Sequence, residues 1–538
     1  MNGWVIAHSV DLVAAGERAF VQELSSPEPN RLTYSSLMDA QECAEIDRAA
    51  YRDARSWYVD HGRDTTVVDD ISLGRAFEYD ATLTLIRHRR AALVLEKLLA
   101  DSTDKTVRLR GVGDEWWTMA RALGAEPIAE EPGVVSSPVA HPTPPSRTRR
   151  LAARLAGARP PANPRLVLVE PPAWARPYYC HLLRHGRPAR LVDPGGRALL
   201  FAIRQRARVT TTWLADLDRT RWSPTLSDST VASPEHEPLR AVEARFRLVE
   251  KAMASWAKEG RRIARSGVVA IAGQDVQPPA RAFLLGLRAA GGRIITLEHG
   301  ISGGYTEQVS SLADVLAVWG EPQVAYHRSA GPSGLRVVAL GWPKLESAEA
   351  FAPPVGNDAW DLLHFSQPSD DLSAGGWSEA HLRALQMVED YARRYPHRRV
   401  AIKLHPGSQA YGFSSPPVWH AHLVTADSLA LIRSARVVVV VASTTGIEAM
   451  SMGRPVLQVP PRGYIGPMEF IKESGAAQQV DSVEELAGAV EHLLADGSAY
   501  GAAVERGRAY ARSFIHGFGQ PGVAVRGLVD LVAELRHS

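Results

Sequence analysis

The sequence predicts an α/β protein with two doubly wound parallel sheets facing a cleft, preceded by a small α/β accessory unit. Three observations predict it. Residues 437–441 are five consecutive valines, the pattern of a strand buried on both faces in a sheet covered by helices. Apolar strand patterns alternate with helical ones twice over, before and after a break at Pro353-Pro354-Val355-Gly356-Asn357-Asp358. Several predicted strands end in Gly, Ser, Thr or His, at the edge where open α/β sheets bind ligands.

Taken in order, residues 1–127 form the accessory unit, with strands at Trp4-Val5-Ile6-Ala7 and Thr106-Val107-Arg108-Leu109-Arg110. Asp80 is placed to cap a helix carrying Leu83, Ile86, Leu93, Leu95 and Leu98. Trp116 and Trp117 open a further helix and read as packing residues. Residues 128–163 are rich in proline and arginine, a composition that holds neither ladder nor helix, and read as a linker. Its Arg147, Arg149, Arg150, Arg154 and Arg159 suit a solvated tether, or attraction to an anionic membrane surface or acidic acceptor.

Residues 164–350 carry the first large sheet, with strands beginning at Leu166, Ala189, Val268, Ile294, Val315 and Val337. Residues 351–538 carry the second, with strands beginning at Asp361, Val400, Val437 and Pro455. Ser482 and Glu485 form a capping box there, and two helices end the chain. A cleft between two such sheets is the usual place for a ligand.

Composition narrows the function. The chain has 538 residues, a net charge of +2 and 45% hydrophobic residues. That balance fits a soluble globular protein with no drive toward nucleic acid. Its two cysteines, Cys43 and Cys180, suit a reducing compartment. No signal peptide or membrane span is read, so the cytoplasm is the expected location. The arginine cluster would account for peripheral contact with the inner face of the membrane or with capsule machinery. Asp216-Leu217-Asp218 has a metal-binding pattern but reads as a surface turn, so no metal is expected.

Three loops carry candidate chemistry: Glu298-His299-Gly300, His405-Pro406-Gly407 and Ser443-Thr444-Thr445-Gly446. The last leads from the valine strand into a helix, whose N-terminus is electropositive and suits a phosphate. Its plainer reading is an ordinary Ser/Thr-capped turn. His299 is the preferred base for an acceptor hydroxyl, with Glu298 as its partner or substitute. Asp275 is a second candidate that reads equally well as a loop carboxylate.

These motifs, with Lys403-Leu404 before His405 and Ile447-Glu448-Ala449 and Gly453-Arg454-Pro455-Val456 after the hydroxyl turn, resemble a group of bacterial GT-B glycosyltransferases. The group includes capsule Kdo transferases, polysialyltransferase-like enzymes and CDP-glycerol glycerophosphotransferases, and the resemblance spans roughly residues 163–535. Kdo-type members usually have Gln where this chain has Glu298, and the acidic-acidic-glycine loop of some relatives is missing.

The resemblance implies the GT-B fold and metal-independent transfer from a nucleotide-sugar donor, CMP-linked to an acidic sugar such as Kdo or sialic acid. The acceptor would be a surface glycan, a capsule precursor or a lipid-linked intermediate, and no cofactor is needed. It implies that His405, Ser443, Thr444, Thr445 and Gly446 hold the donor phosphate. Glu448 would meet ribose hydroxyls, its alternative being a favourable helix-dipole charge. Gln367, Pro368, Lys403 and Pro406 complete the donor side, and Gly300, Ser302, Gly303 and Tyr305 the acceptor side. A polyol-phosphate transferase, a nucleotide-sugar epimerase of the same fold and a non-catalytic capsule-assembly component remain alternatives.

Overall fold

The structure is a computed structural model. It describes residues 4–131, 165–192, 237–345, 360–405 and 419–537, apart from short stretches that include 170–177, 183–188, 274–276, His299, 301–310, 367–376 and 461–474.

The accessory unit is a five-stranded parallel sheet of β1 (Trp4–Ser9), β2 (Ala19–Glu23), β3 (Arg31–Leu32), β4 (Thr106–Arg110) and β5 (Glu126–Glu131), in the order β3-β2-β1-β4-β5. The last strand runs to Glu131, past the boundary expected at 127. Trp4, Ile6, Phe20, Val107 and Leu109 point to one face and pack under helices α1 (Ala40–Ala54), α2 (Glu78–Ala100) and α3 (Asp114–Ala122). Asp39, not Asp80, is a capping residue here. It caps α1 by accepting the Glu42 N–H at 2.8 Å, whereas α2 already begins at Glu78. Trp116 is buried, as expected of a packing residue, and Trp117 is exposed.

The first large sheet comprises β6 (Leu166–Val169), β7 (Ala189–Val192), β8 (Val269–Ala272), β9 (Arg293–Leu297), β10 (Val315–Val318) and β11 (Arg336–Ala339). Their order is β7-β6-β8-β9-β10-β11, all parallel. Strand alternation sends Val167, Val169, Ala270, Ala272 and Ile294 to one face, against helices α4 (Glu237–Ile263) and α5 (Pro278–Ala289). Leu166, Leu168, Val269, Ile271 and Ile295 face the opposite side. Helix α6 (Glu321–Ala330) follows β10.

The second sheet comprises β12 (Trp360–Phe365), β13 (Val400–Lys403), β14 (His422–Leu423), β15 (Ala435–Val440), β16 (Val456–Gln458) and β17 (Gln478–Gln479). Its order, β14-β13-β12-β15-β16-β17, is the 3-2-1-4-5-6 arrangement of dinucleotide-binding sheets. The valine run behaves as its composition predicts. Val437, Val439 and Val441 face α7 (Trp377–Arg394) and α10 (Val483–Ala495), while Val438 and Val440 face the opposite core. Helices α8 (Ser428–Arg433), α9 (Thr444–Ser451) and α11 (Gly497–Phe514) complete the unit. Arg454 is buried and donates to the carbonyls of Ile432 and Arg433 at 3.1 and 3.0 Å, capping the C-terminus of α8.

Two features depart from the expected division of the chain. The last helix, α12 (Val523–His537), follows the second sheet in the chain but packs against β8 of the first. Its Ala524, Leu528, Leu531, Val532 and Leu535 join a core that holds Leu166, Val269 and Leu340 of the first unit as well as Leu363, Val438 and Val440 of the second. The chain crosses over just before it, where the His516 N–H donates to the Trp319 carbonyl at 2.8 Å.

The second feature is α4, 27 residues long and absent from the expected elements. Its Phe246, Val249, Met253 and Trp256 bury Leu73, Ala76 and Phe77 of the accessory unit. Helix α7 also lies against β2, so the accessory unit touches both large units. No helix among the described residues is long and apolar enough to cross a membrane.

Candidate functional site

In the second sheet the strand order reverses between β12 and β15, and ligands of open α/β sheets bind at the carboxyl ends flanking such a point. The hydroxyl-rich turn lies there. Ser443 is the N-cap of α9, extended at φ −128°, and its Oγ accepts the Thr445 N–H at 3.2 Å and lies 2.6 Å from Thr445 Oγ1. The Gly446 N–H donates to the Ser443 carbonyl at 2.9 Å. Two of the amides expected to hold a phosphate are thus engaged locally, and an incoming anion would exchange with the Ser443 side chain for Thr445.

His405 sits on the neighbouring strand end. Its backbone N–H donates to Ser366 Oγ at 2.8 Å and its side chain is exposed. Lys403, at the end of β13, donates to Ser428 Oγ at 2.7 Å. Glu448 lies one turn into α9 and is half-buried. Loss of hydration raises its carboxyl to about 7, against the opposing pull of the Lys344 and Lys403 cations.

The first unit reaches the same place. A Cβ built on Gly300, beyond β9, would lie 2.9 Å from Thr444 Oγ1 and 3.9 Å from Thr444 Cβ. Lys344, whose charge acts on Glu448, follows β11 of the first sheet. Loops from the carboxyl edges of two separate sheets therefore meet at the N-terminus of α9.

The fold has several structural likenesses over part of the chain. The chain is 11% identical to a glycosyltransferase from Rickettsia africae, covering 69% of this chain and 98% of that one at a TM-score of 0.39. It is 10% identical to Anabaena HepE solved with UDP and glucose, covering 69% and 99% at 0.41. It is 11% identical to the Methanocaldococcus jannaschii UDP-GlcNAc 2-epimerase, covering 69% and 99% at 0.42. No protein-family model and no curated protein matches the chain. Overlaps this loose decide nothing about chemistry, which rests on the residues themselves.

Glu298 requires a correction. It was expected beside His299 as a base or its partner, open to an acceptor. Instead its side chain is fully buried, accepts the Trp319 N–H at 3.2 Å and lies 3.2 Å from His327 Nε2. A carboxylate enclosed on the inner side of a strand end cannot meet a substrate hydroxyl.

His299, Asp275, Ser302, Gly303, Tyr305, Gln367, Pro368 and Pro406 lie outside the described residues, as does Asp216-Leu217-Asp218. Among the described residues a cavity of about 350 Å³ lies at the crossover, lined by Glu321, Arg512, His516 and Phe518.

Two buried histidines were not anticipated. His364, inside β12, places Nδ1 3.1 Å from the Val439 carbonyl, and His381 on α7 has its ring centre 6.4 Å away. Burial lowers them to about 4 and about 3, so both are neutral near pH 7. The charge of His405 also acts on His381, which places all three at one sheet edge. A single histidine among Leu362, Leu363 and Phe365 gives no pattern by which to find it.

Proposed function

We propose that this chain is a glycosyltransferase moving a sugar from a nucleotide-activated donor to a cell-surface glycan or its precursor. The observation that carries this reading is Gly300 of one sheet against Thr444 of the other, at the helix end best suited to a phosphate. The donor phosphate lies on Ser443, Thr444 and the first amides of α9, with His405 beside it. As the sugar departs, the nucleotide gains negative charge. Donors already aimed at that point stabilise the transition state by several kcal/mol, on the order of 3–4 for each well-placed one. Glu448, poised near neutrality, accepts from the ribose hydroxyls. The acceptor enters from the Gly300 side, and His299 takes its proton. The sequence resemblance favours a CMP-linked acidic sugar as donor.

Thermal unfolding against CMP, CDP, UDP and GDP tests the proposal. A nucleotide at about 100 times its Kd stabilises the folded state by ~2.7 kcal/mol, so one of the four should raise the melting point by several degrees. Ser443→Ala and His405→Ala should each abolish that shift. Failure of all four to stabilise the protein, or full shifts in both variants, would contradict the site.

A further inference from the structure

Glu298 has no route to a substrate, yet both its main chain and its side chain are held. Its backbone N–H donates to the Ala317 carbonyl at 2.9 Å, and its carboxylate takes the Trp319 N–H and meets His327. These contacts tie the end of β9 to the end of β10 and to α6. Trp319 is itself held twice. Its ring stacks on Trp342, centroids 4.7 Å apart and planes within 17°, and its carbonyl accepts the His516 N–H at 2.8 Å. The grip on Glu298 therefore continues, through one residue, to the crossover between the two units.

The surroundings are polar and sealed. Gln323 and His327 lie one turn apart on α6 and both are fully buried. Among the described residues, neither amide atom of Gln323 nor Nδ1 of His327 has a hydrogen-bond partner. Apolar side chains of similar volume would stabilise this interior as well or better. A charged and polar layer is best understood here by the geometry it imposes.

We propose that Glu298 is a positioning residue. With His327 and Trp319 it fixes the strand end that carries Gly300, and so holds that loop against the hydroxyl turn of α9 and couples it to the crossover at His516. The inference rests on the site reading given above, because it assigns Glu298 the task of building one wall of that site.

Disulfide trapping tests it without a substrate. The 3.9 Å separation at Gly300 and Thr444 matches the Cβ–Cβ spacing of a disulfide, about 3.8 Å. Gly300→Cys with Thr444→Cys, in a Cys43→Ser, Cys180→Ser background, should cross-link under copper–phenanthroline, read by non-reducing gel mobility. Adding Glu298→Ala or His327→Ala should slow cross-linking about tenfold, as loss of a buried hydrogen-bonded anchor implies, while unfolding stays cooperative.

Glu298→Gln keeps an acceptor for the Trp319 backbone N–H and replaces the acceptor at His327 with an amide donor, which the other imidazole tautomer accepts at Nε2, and should stay within about threefold of the parent. Cross-linking of Glu298→Ala at the parent rate, or Glu298→Gln as slow as Glu298→Ala, would overturn the inference and leave the site reading intact. If Glu298→Ala does not fold, the His327→Ala and Glu298→Gln arms decide. A parent that never cross-links would overturn the shared site and the inference together.

Discussion

At the scale of single residues, chemistry is decided by which way a side chain turns at a strand end. Glu298 and Gly300 are two positions apart, yet one is sealed beside His327 and the other lies where an added Cβ would meet Thr444 across the gap. Residue type marked the segment Glu298-His299-Gly300 as unusual. It could not say which side faced the gap, because that depends on where the loop leaves the pleat. Glu448 carries a sharper consequence. Its folded carboxyl titrates near 7, above the ordinary value of 4.5. The stability linked to it is therefore complete below about pH 4.5 and declines as pH rises through 7. Glu448→Gln removes that slope. Urea unfolding should find the variant about 1–3 kcal/mol more stable than the parent at pH 8, and no more stable at pH 5. An equal difference at both pH values would show that Glu448 is not the desolvated acid described.

At the scale of elements, the buried parallel strands were legible because valine and isoleucine runs leave little other choice. The helix α4 was equally periodic, with Val242, Phe246, Val249, Met253 and Trp256 at three- and four-residue steps. Its lack of a clear cap and its position after a polar stretch hid it. What periodicity never shows is the partner, and α4 and α5 show why that matters. A Cβ on Gly260 would lie 2.0 Å from the Phe283 carbonyl, and one on Gly286 would lie 1.8 Å from the Ala257 carbonyl. The two helices therefore cross backbone to backbone. Gly286→Ala should force them apart and cost at least about 1–3 kcal/mol in chemical denaturation, the usual penalty of overpacking. A stability change below ~0.5 kcal/mol would deny the close crossing.

At the scale of the whole molecule, three sheets are joined by contacts that the sequence did not announce. The amphipathic pattern of α12 predicts a buried face but not that the face lies on the first sheet. Arg281 of α5, with its side chain fully buried, pairs with Glu78 of the accessory unit at 3.3 Å and donates to the Arg75 carbonyl at 3.1 and 3.0 Å. Arg281→Leu takes from Glu78 its fully buried charge partner and leaves it the more exposed Arg75, at 3.8 Å, and the Tyr58 hydroxyl. It should cost about 3–5 kcal/mol and release the accessory unit to limited proteolysis before the rest. Unchanged stability would make that junction incidental. The central claim is that two sheets share one phosphate site at the N-terminus of α9. It is tested most directly by a crystal structure with whichever nucleotide stabilises the protein. The account predicts the phosphate against Ser443 and Thr445, with Gly300 of the first unit on its open side. A nucleotide seated on the accessory sheet or at the crossover, with the hydroxyl turn left to solvent, would contradict it.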